Sequence, residues 1–171
     1  RLGAVLAGAE VALEDACGVT VPADIDALRR AMYCGEWIES HVLHLAMLQG
    51  PDLLGYAGGI EMAADHRPVV EAALRLKQLG NRLVELVGGR AIHPINVRLG
   101  GFYRAPSPEA VSSFLPELDE ALELAVTVAQ WAAGLTYPDA HLDTELLALV
   151  EPDRYGMMGG RLRSDRGLDI V

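Results

Sequence analysis

The sequence predicts a mainly α-helical protein: an antiparallel bundle of long helices followed by a small C-terminal antiparallel β hairpin. Apolar residues recur at helical spacing through most of residues 2–133. Serine, proline or glycine stands where several of these segments begin or end. After residue 136 the pattern shortens into alternating apolar runs between glycines and prolines. We therefore expect a single domain, with a helical bundle over 1–136 and a small β appendage over 137–171.

The first two long helices are predicted within residues 2–48. The first spans about Leu2 to Cys17 and stops at Gly18. The second begins at about Asp24, a candidate N-cap, and ends at Leu48 before Gly50 and Pro51. The predicted buried residues of the two are Val5, Leu6, Ala9, Leu13 and Ala16, then Leu28, Met32, Ile38, Leu45 and Leu48. Residues 52–65 follow as a short helical segment interrupted by glycines.

Two more long helices are predicted on either side of residue 100. One opens at Arg67 and Pro68, with a core face of Leu76, Leu79, Leu83 and Leu86. The other has Ser107 as its N-cap and Gly134 as its stop, and Pro116 either starts a new helix or kinks this one. Its predicted apolar face comprises Leu118, Leu122, Ala125, Val128 and Ala129. Beyond it, residues 145–150 and 160–163 are predicted strands.

The composition and the absence of known motifs argue against several classes of function. The formal net charge is −10, which disfavours nonspecific nucleic-acid binding, a process driven by clustered Lys and Arg. No apolar run approaches the roughly 20 residues of a membrane span. The sequence shows no catalytic motif for acyl or phosphoryl transfer or dinucleotide binding, and we assign no catalytic residue. Four acidic residues at helical spacing predict a solvated face: Glu117, Asp119, Glu120 and Glu123.

Cysteines and paired histidines are the candidate metal ligands. Cys17 and Cys34 stand apart with no chelating neighbour, so we expect two small, buried apolar residues and a reducing, cytoplasmic compartment. His41 and His44 have the i, i+3 spacing of a helical metal site but lack a third ligand. We expect these histidines to be buried and hydrogen-bonded, fixing helix packing, and we assign no metal ligand in this sequence.

Two glycine pairs, Gly88-Gly89 and Gly100-Gly101, bracket a histidine-proline step. Glycine permits positive φ and close backbone approach, and Pro94 biases His93 toward extended geometry. The imidazole would then be aimed by a stiff backbone, as suits a buried site or an interface. The alternative is a structural loop whose histidine only packs.

Three blocks of the sequence resemble the large (alpha) subunit of nickel-iron hydrogenases, particularly the cytoplasmic branch that reduces soluble cofactors. They are EWIESHVLH at 36–44 with PDLLG at 51–55, LKQLGN at 76–81 running into GGRAIHP at 88–94, and GGF at 100–102. Their order and separations also fit, and the resemblance covers nearly the whole chain, including SDRGLD at 164–169.

The resemblance implies a scaffold segment of a larger subunit. The family binds nickel and iron through two Cys-x-x-Cys pairs, and neither pair is present, so we expect this segment to hold no cofactor and to be inactive alone. The implied partner is an iron-sulfur small subunit, contacted near its closest cluster by His93 and Arg90. The uncovered apolar surface predicts self-association of the isolated segment. The alternative is a noncatalytic structural or quinone-site relative similar to the large subunit of respiratory complex I.

Overall fold

The computed structural model describes the backbone of residues 2–170 and the side chains of residues 8–170. Long helices dominate and the strands pair in small antiparallel sheets, which confirms the predicted fold class. The helical elements are α1 Leu2–Cys17, α2 Ala23–Leu43, a π-helical turn His44–Gln49, α3 Gly50–Leu54, α4 Gly59–Met62, α5 Arg67–Gly88 and α6 Pro108–Ala133. The strands are β1 Val97–Arg98, β2 Gly101–Phe102, β3 Leu147–Val150, β4 Arg161–Ser164 and β5 Asp169–Ile170.

The chain divides into two compact units, Arg1–Tyr137 and Pro138–Val171. The first unit contains the helices and the short hairpin of β1 and β2. The second contains an antiparallel sheet in the order β3-β4-β5, with Leu149 opposite Leu162. No described helix is long and apolar enough to cross a membrane.

Helix α5 is the centre of the first unit, because it packs against both α2 and α6. Gly80 of α5 faces Gly35 of α2 so closely that a Cβ on Gly80 would lie 2.7 Å from the Gly35 carbonyl oxygen. One turn away on each helix, Lys77 Nζ lies 3.0 Å from a carboxylate oxygen of Glu39. This order of contacts makes α2 and α5 antiparallel. The buried side of α5 includes the predicted Leu76, Leu79 and Leu83.

The predicted buried face of α1 is wrong. Leu13 is 56% exposed, and Ala9 and Ala16 are also exposed, whereas Glu14 is only 4% exposed. The side chains of Val5 and Leu6 lie outside the described part of the chain. The helix buries a charged residue because that residue has an ion-pair partner on α2, a contact that apolar periodicity cannot reveal.

The predicted ends of α2 are also wrong. Pro22, not Asp24, occupies the N-cap, and it makes no side-chain capping bond. At the other end the chain continues into the π-helical turn and then α3, instead of stopping at Gly50 and Pro51. The Gly50 amide donates to the Leu45 carbonyl, five residues back. This wider turn shifts the carbonyls that a proline would meet in a regular helix, so Pro51 is tolerated at the start of α3.

Ser107 caps α6 as predicted, because its hydroxyl oxygen accepts a hydrogen bond from the Ala110 amide at 3.2 Å. Pro116 does not start a new helix, since α6 continues through it. Part of the predicted apolar face points outward: Leu122 is 66% exposed and Ala129 is exposed. The buried positions are Phe114, Ala121, Val128 and Ala132.

The acidic residues of α6 are more than a solvated face. Glu120 accepts two hydrogen bonds of 2.7 Å from Arg75 of α5. Glu117, one turn earlier on α6, pairs with Arg82, about two turns later on α5. These pairs join α6 to α5 at the rim of their contact and set the two helices antiparallel.

Candidate functional site

The loop after α5 closes tightly against the end of that helix. Gly89 adopts the left-handed conformation, with φ +75°, and its amide donates to the Glu85 carbonyl at 2.9 Å. A Cβ on Gly88 would lie 2.8 Å from the Cβ of Pro94, so only glycine allows this approach. The first glycine pair therefore has the role that the sequence predicts: it permits a sharp reversal and a close backbone contact.

Asn96 clamps the two sides of the loop together. Its Nδ2 donates to the carbonyls of Val87, at 2.8 Å, and Arg104, at 2.6 Å, while its Oδ1 accepts from the Arg104 amide at 3.0 Å. The amides of Ile95 and Asn96 also donate to the Gly88 carbonyl. These bonds satisfy carbonyls that the end of a helix leaves open, and they fix the loop against α5.

Arg90 and His93 lie on the outside of this clamped loop, and both are exposed. His93 has φ +56°, so the extended geometry expected before proline is wrong. The reason is geometric: the chain must turn back within a few residues to lay Pro94 on Gly88, and histidine tolerates the left-handed region better than most residues. Such backbone strain persists where the surroundings impose it and is frequent at functional sites.

A buried ion pair anchors the far side of the loop. Arg29 of α2 donates to both carboxylate oxygens of Glu14 of α1, each at 2.7 Å. Glu14 also accepts from the Gly100 amide at 2.6 Å, and Arg29 donates to the Arg98 carbonyl at 3.3 Å. The pair therefore joins α1 and α2 to the turn between β1 and β2.

The environment sets the charges in this cluster. Hydrogen bonds from Arg29 lower the pKa of Glu14 most, against the opposing effect of burial, and the Gly100 amide lowers it further. Glu10, with a carboxylate oxygen 3.8 Å from Arg29, has its pKa raised, chiefly by burial. Glu14 is thus held as the charged partner of Arg29, while Glu10 is the more readily protonated carboxyl.

Sequence reasoning missed Glu14, Arg29 and Asn96. One signal was available: Glu10 and Glu14 are four residues apart, so two acids share one face of α1. A partner for such a face must come from elsewhere in the chain, and the sequence does not identify Arg29 as that partner. Asn96 lies inside the glycine-bracketed stretch, but its hydrogen-bond partners depend on how the loop closes.

The other candidate ligands are not brought together. His41 and His44 are both exposed, so their predicted burial is wrong; His41 instead packs near the Trp37 ring, with centroids 5.8 Å apart. Cys17 is exposed, contrary to prediction, and Cys34 is half-buried. Burial raises the pKa of the Cys34 thiol, which keeps it protonated and weak as a ligand or nucleophile. Among the described residues, no group of three or more His, Cys, Asp or Glu is arranged to hold a metal ion.

Two grooves flank these elements. One, of about 400 Å³, lies between α2, α5 and α6 and has an apolar lining that includes Cys34, Trp37 and Val128. The other, of about 420 Å³, lies beside the clamped loop and is lined in part by Asn96, Tyr103 and Arg104. The first is lined almost entirely by apolar groups, with His41 also in its lining, whereas the second combines apolar and polar groups and includes the exposed Arg104.

Relatives are similar to the chain over most of its length. The alpha subunit of sulfhydrogenase 1 from Pyrococcus furiosus is 38% identical over 159 residues, which cover 91% of this chain and 37% of that protein. The matching subunit of the F420-non-reducing hydrogenase vhu from Methanocaldococcus jannaschii is 33% identical over 169 residues, covering 89% and 40% respectively. The alpha subunit of sulfhydrogenase 2 from P. furiosus is 47% identical over 98 residues, covering 57% and 24%. The chain thus spans well under half of each relative, and no family model matches it.

The fold is also found in a solved structure. A chain in the crystal structure of an NAD+-reducing NiFe hydrogenase in the H2-reduced state matches 96% of this chain with a TM-score of 0.77. Sequence identity is 24%, and the match covers 41% of that chain. At this identity the likeness establishes a shared fold.

Proposed function

We propose that the chain, a member of the family of nickel-iron hydrogenase alpha subunits, works as a segment of such a subunit. In the complete enzyme, H2 would be interconverted with protons and electrons. This segment would supply scaffold through its helices, and its loop with Arg90 and His93 would contact an iron-sulfur small subunit.

The observation that supports this contact most strongly is the loop itself. Its backbone is fixed on one side by Asn96 and on the other by Glu14 and Arg29, while Arg90 and His93 face outward. A rigid, strained loop that exposes a histidine suits a contact whose geometry must be set before the partner arrives.

A histidine at a subunit boundary can influence electron transfer without binding a metal. An imidazole N–H can donate to a sulfide or cysteinate of an iron-sulfur cluster, and hydrogen bonds to these sulfurs raise the reduction potential of the cluster. We propose this role for His93 and a supporting contact for Arg90.

We also propose that the segment holds no nickel-iron centre and that the complete subunit supplies the ligands elsewhere. Such a centre needs a set of thiolates, whereas Cys17 ends α1 and Cys34 lies within α2. Neither thiol stands in a group of potential ligands among the described residues. Free thiols are usual in reducing compartments, and this supports our proposal of a cytoplasmic location.

Self-association of the isolated chain follows from its uncovered apolar surface. Leu122 of α6 is 66% exposed, Ile60 is 89% exposed, and the apolar groove lies open beside α2. We expect light scattering on the purified 171-residue chain to detect oligomers. A strictly monomeric chain that binds no hydrophobic dye at high concentration would contradict this expectation.

The noncatalytic alternative similar to complex I is not favoured, because the three relatives described above are all hydrogenase subunits. It would regain support if the complete reading frame lacked both Cys-x-x-Cys pairs.

The substitution His93→Ala in the complete complex tests the proposed contact. We expect normal nickel content, a lowered reduction potential of the small-subunit cluster nearest the loop, and altered turnover. Redox titration and metal analysis measure these quantities. His44→Ala is the matched control, because His44 is also exposed but lies on the π-helical turn.

A purely structural role of His93 predicts a different pattern. Stability and subunit yield would fall together while cluster potentials and turnover stayed normal. That result would reject the electron-transfer proposal.

A further inference from the structure

The charge of the chain is distributed unevenly around the proposed contact. The protein has 14 basic and 24 acidic residues, yet the stretch 86–108 contains three arginines and no aspartate or glutamate. Those arginines are Arg90, Arg98 and Arg104. This stretch is therefore positively charged within a protein whose formal net charge is −10.

The three arginines are exposed, and within the described part of the chain none of them forms an ion pair. Elsewhere the protein neutralises its exposed cations: Arg67 pairs with Glu71, and Arg75 pairs with Glu120. The loop thus leaves three guanidinium groups available to an outside partner.

Exposed apolar side chains lie in the same stretch of the chain as the arginines. Tyr103 is 72% exposed, and the Arg98 guanidinium lies 5.8 Å from the centroid of its ring. Ile92 is 62% exposed and Ile95 is 64% exposed. Exposed aromatic and aliphatic side chains beside arginine are the composition that protein interfaces favour.

We propose that the arginine loop, residues 86–108, is an electrostatic docking surface for an acidic face of the small subunit. This inference rests on the proposed function for the identity of the partner and adds the chemistry by which the partner is recognised. An acidic protein fits better than a nucleic acid, because Tyr103, Ile92 and Ile95 offer exposed apolar contacts beside the arginines that a protein surface can cover and a phosphate backbone cannot.

Hydrogen bonds also fix the backbone at two of the three arginines. The Arg104 backbone is held through both its amide and its carbonyl by Asn96, and the Arg98 carbonyl accepts from buried Arg29. Charges on a fixed backbone lose less freedom on binding than charges on a mobile segment, so they contribute more to association.

The test uses the complete large subunit bound to its small subunit. The triple variant Arg90→Ala/Arg98→Ala/Arg104→Ala is compared with Arg161→Ala/Arg163→Ala/Arg166→Ala, which removes three exposed charges from β4 and the adjoining turn. Mass photometry at nanomolar concentration gives the dissociation constant of each complex at low and high salt. Circular dichroism verifies that each variant is folded.

We expect the loop variant to raise the dissociation constant at least about tenfold at about 50 mM NaCl and less than about threefold at about 500 mM, where charges are screened. The control should match the parent at both salts. A variant with Lys at all three loop positions should retain the salt dependence of the parent, and it covers the case in which the alanine variant folds poorly.

Several outcomes would overturn the inference. They are equal dissociation constants for the loop variant and its control, no measurable dissociation of either complex, or displacement of the small subunit by duplex DNA through the same arginines. If the arginine variants behave as the parent while His93→Ala still shifts the cluster potential, this inference fails and the proposed function stands.

Discussion

Ion pairs between arginine and a carboxylate hold both the arginine loop and the β unit of residues 138–170. The pair at the loop is buried, whereas the pairs in the β unit are exposed to solvent. The loop is anchored by Glu14 and Arg29, whose side chains are 5% and 2% exposed. In the sheet of the β unit, Asp169 forms ion pairs with Arg161 and Arg163, and all three side chains are at least a third exposed. The same residue types therefore form a buried anchor in one region and a surface network in the other.

This difference predicts unequal contributions to stability. Removing one member of a buried pair leaves an uncompensated charge in a poorly solvated site. Removing one member of an exposed pair leaves a charge that water and salt stabilise at once. The loop should therefore respond strongly to single substitutions of its anchor, and the β unit should hardly respond.

The largest effect is expected for Glu14→Ala. The substitution removes both short hydrogen bonds to the Arg29 guanidinium, leaving only the Glu10 carboxylate 3.8 Å away, and it removes the acceptor of the Gly100 amide. It should therefore lower the free energy of unfolding of the helical unit by about 3–5 kcal/mol. Urea titration followed by tryptophan fluorescence measures this, because Trp37 and Trp131 both lie in that unit.

Glu120→Ala is the matched control for Glu14→Ala. It removes another carboxylate that accepts two hydrogen bonds from a single arginine, Arg75, but its side chain is 42% exposed. We expect no measurable change in unfolding. If the two substitutions lowered the free energy of unfolding equally, burial would not determine the cost of losing an ion-pair partner. The explanation given for the difference between the loop and the β unit would then be wrong.

An intermediate effect is expected for Asn96→Ala. The substitution removes three hydrogen bonds that close the loop, at a half-buried position, and should cost about 1–3 kcal/mol. Amide hydrogen exchange should then accelerate at Arg104, whose amide loses its acceptor. Unchanged exchange there would mean that the glycine pair alone holds the loop closed.

Much of the fold follows from local chemistry and was predicted for that reason. Ser107 before Pro108 defines the start of α6, and Pro68 falls in the first turn of α5, because capping and proline geometry depend only on neighbouring residues. The alternation around Leu149 and Leu162 likewise predicted paired strands.

The errors have a common physical cause, namely contacts between residues distant in sequence. Burial of Glu14 depends on Arg29, fifteen residues away, and apolar periodicity assigned the neighbouring Leu13 to the core instead. The need for glycine at position 50 depends on the distant Trp131 ring, because a Cβ on Gly50 would lie 2.5 Å from that ring. A single sequence does not indicate which distant residues meet.

The sequence correctly predicted where the candidate site lies in the chain, but not the conformation of its backbone. The glycine pairs correctly marked the segment as an unusual loop, but the preference that proline imposes on its predecessor gave the wrong conformation for His93. The closure of Pro94 onto Gly88 overrides that preference. The contact of His93 and Arg90 with a small subunit stays a prediction.

The smallest effect is expected for Asp169→Asn in the β unit. Hydrogen bonds from Arg161 and then Arg163 lower the pKa of Asp169, so the charged carboxylate favours the folded sheet above its ordinary pKa. That contribution is lost as the pH falls through the lowered value.

Because all three side chains are exposed, we expect almost no change in the hydrogen exchange of Leu162 at neutral pH, and any change should vanish in high salt. The parent and the variant should converge at acid pH, where Asp169 is protonated. If instead Asp169→Asn opens the sheet at neutral pH, in low and high salt alike, then exposed pairs hold the β unit as firmly as the buried pair holds the loop, and environment does not decide the strength of these anchors.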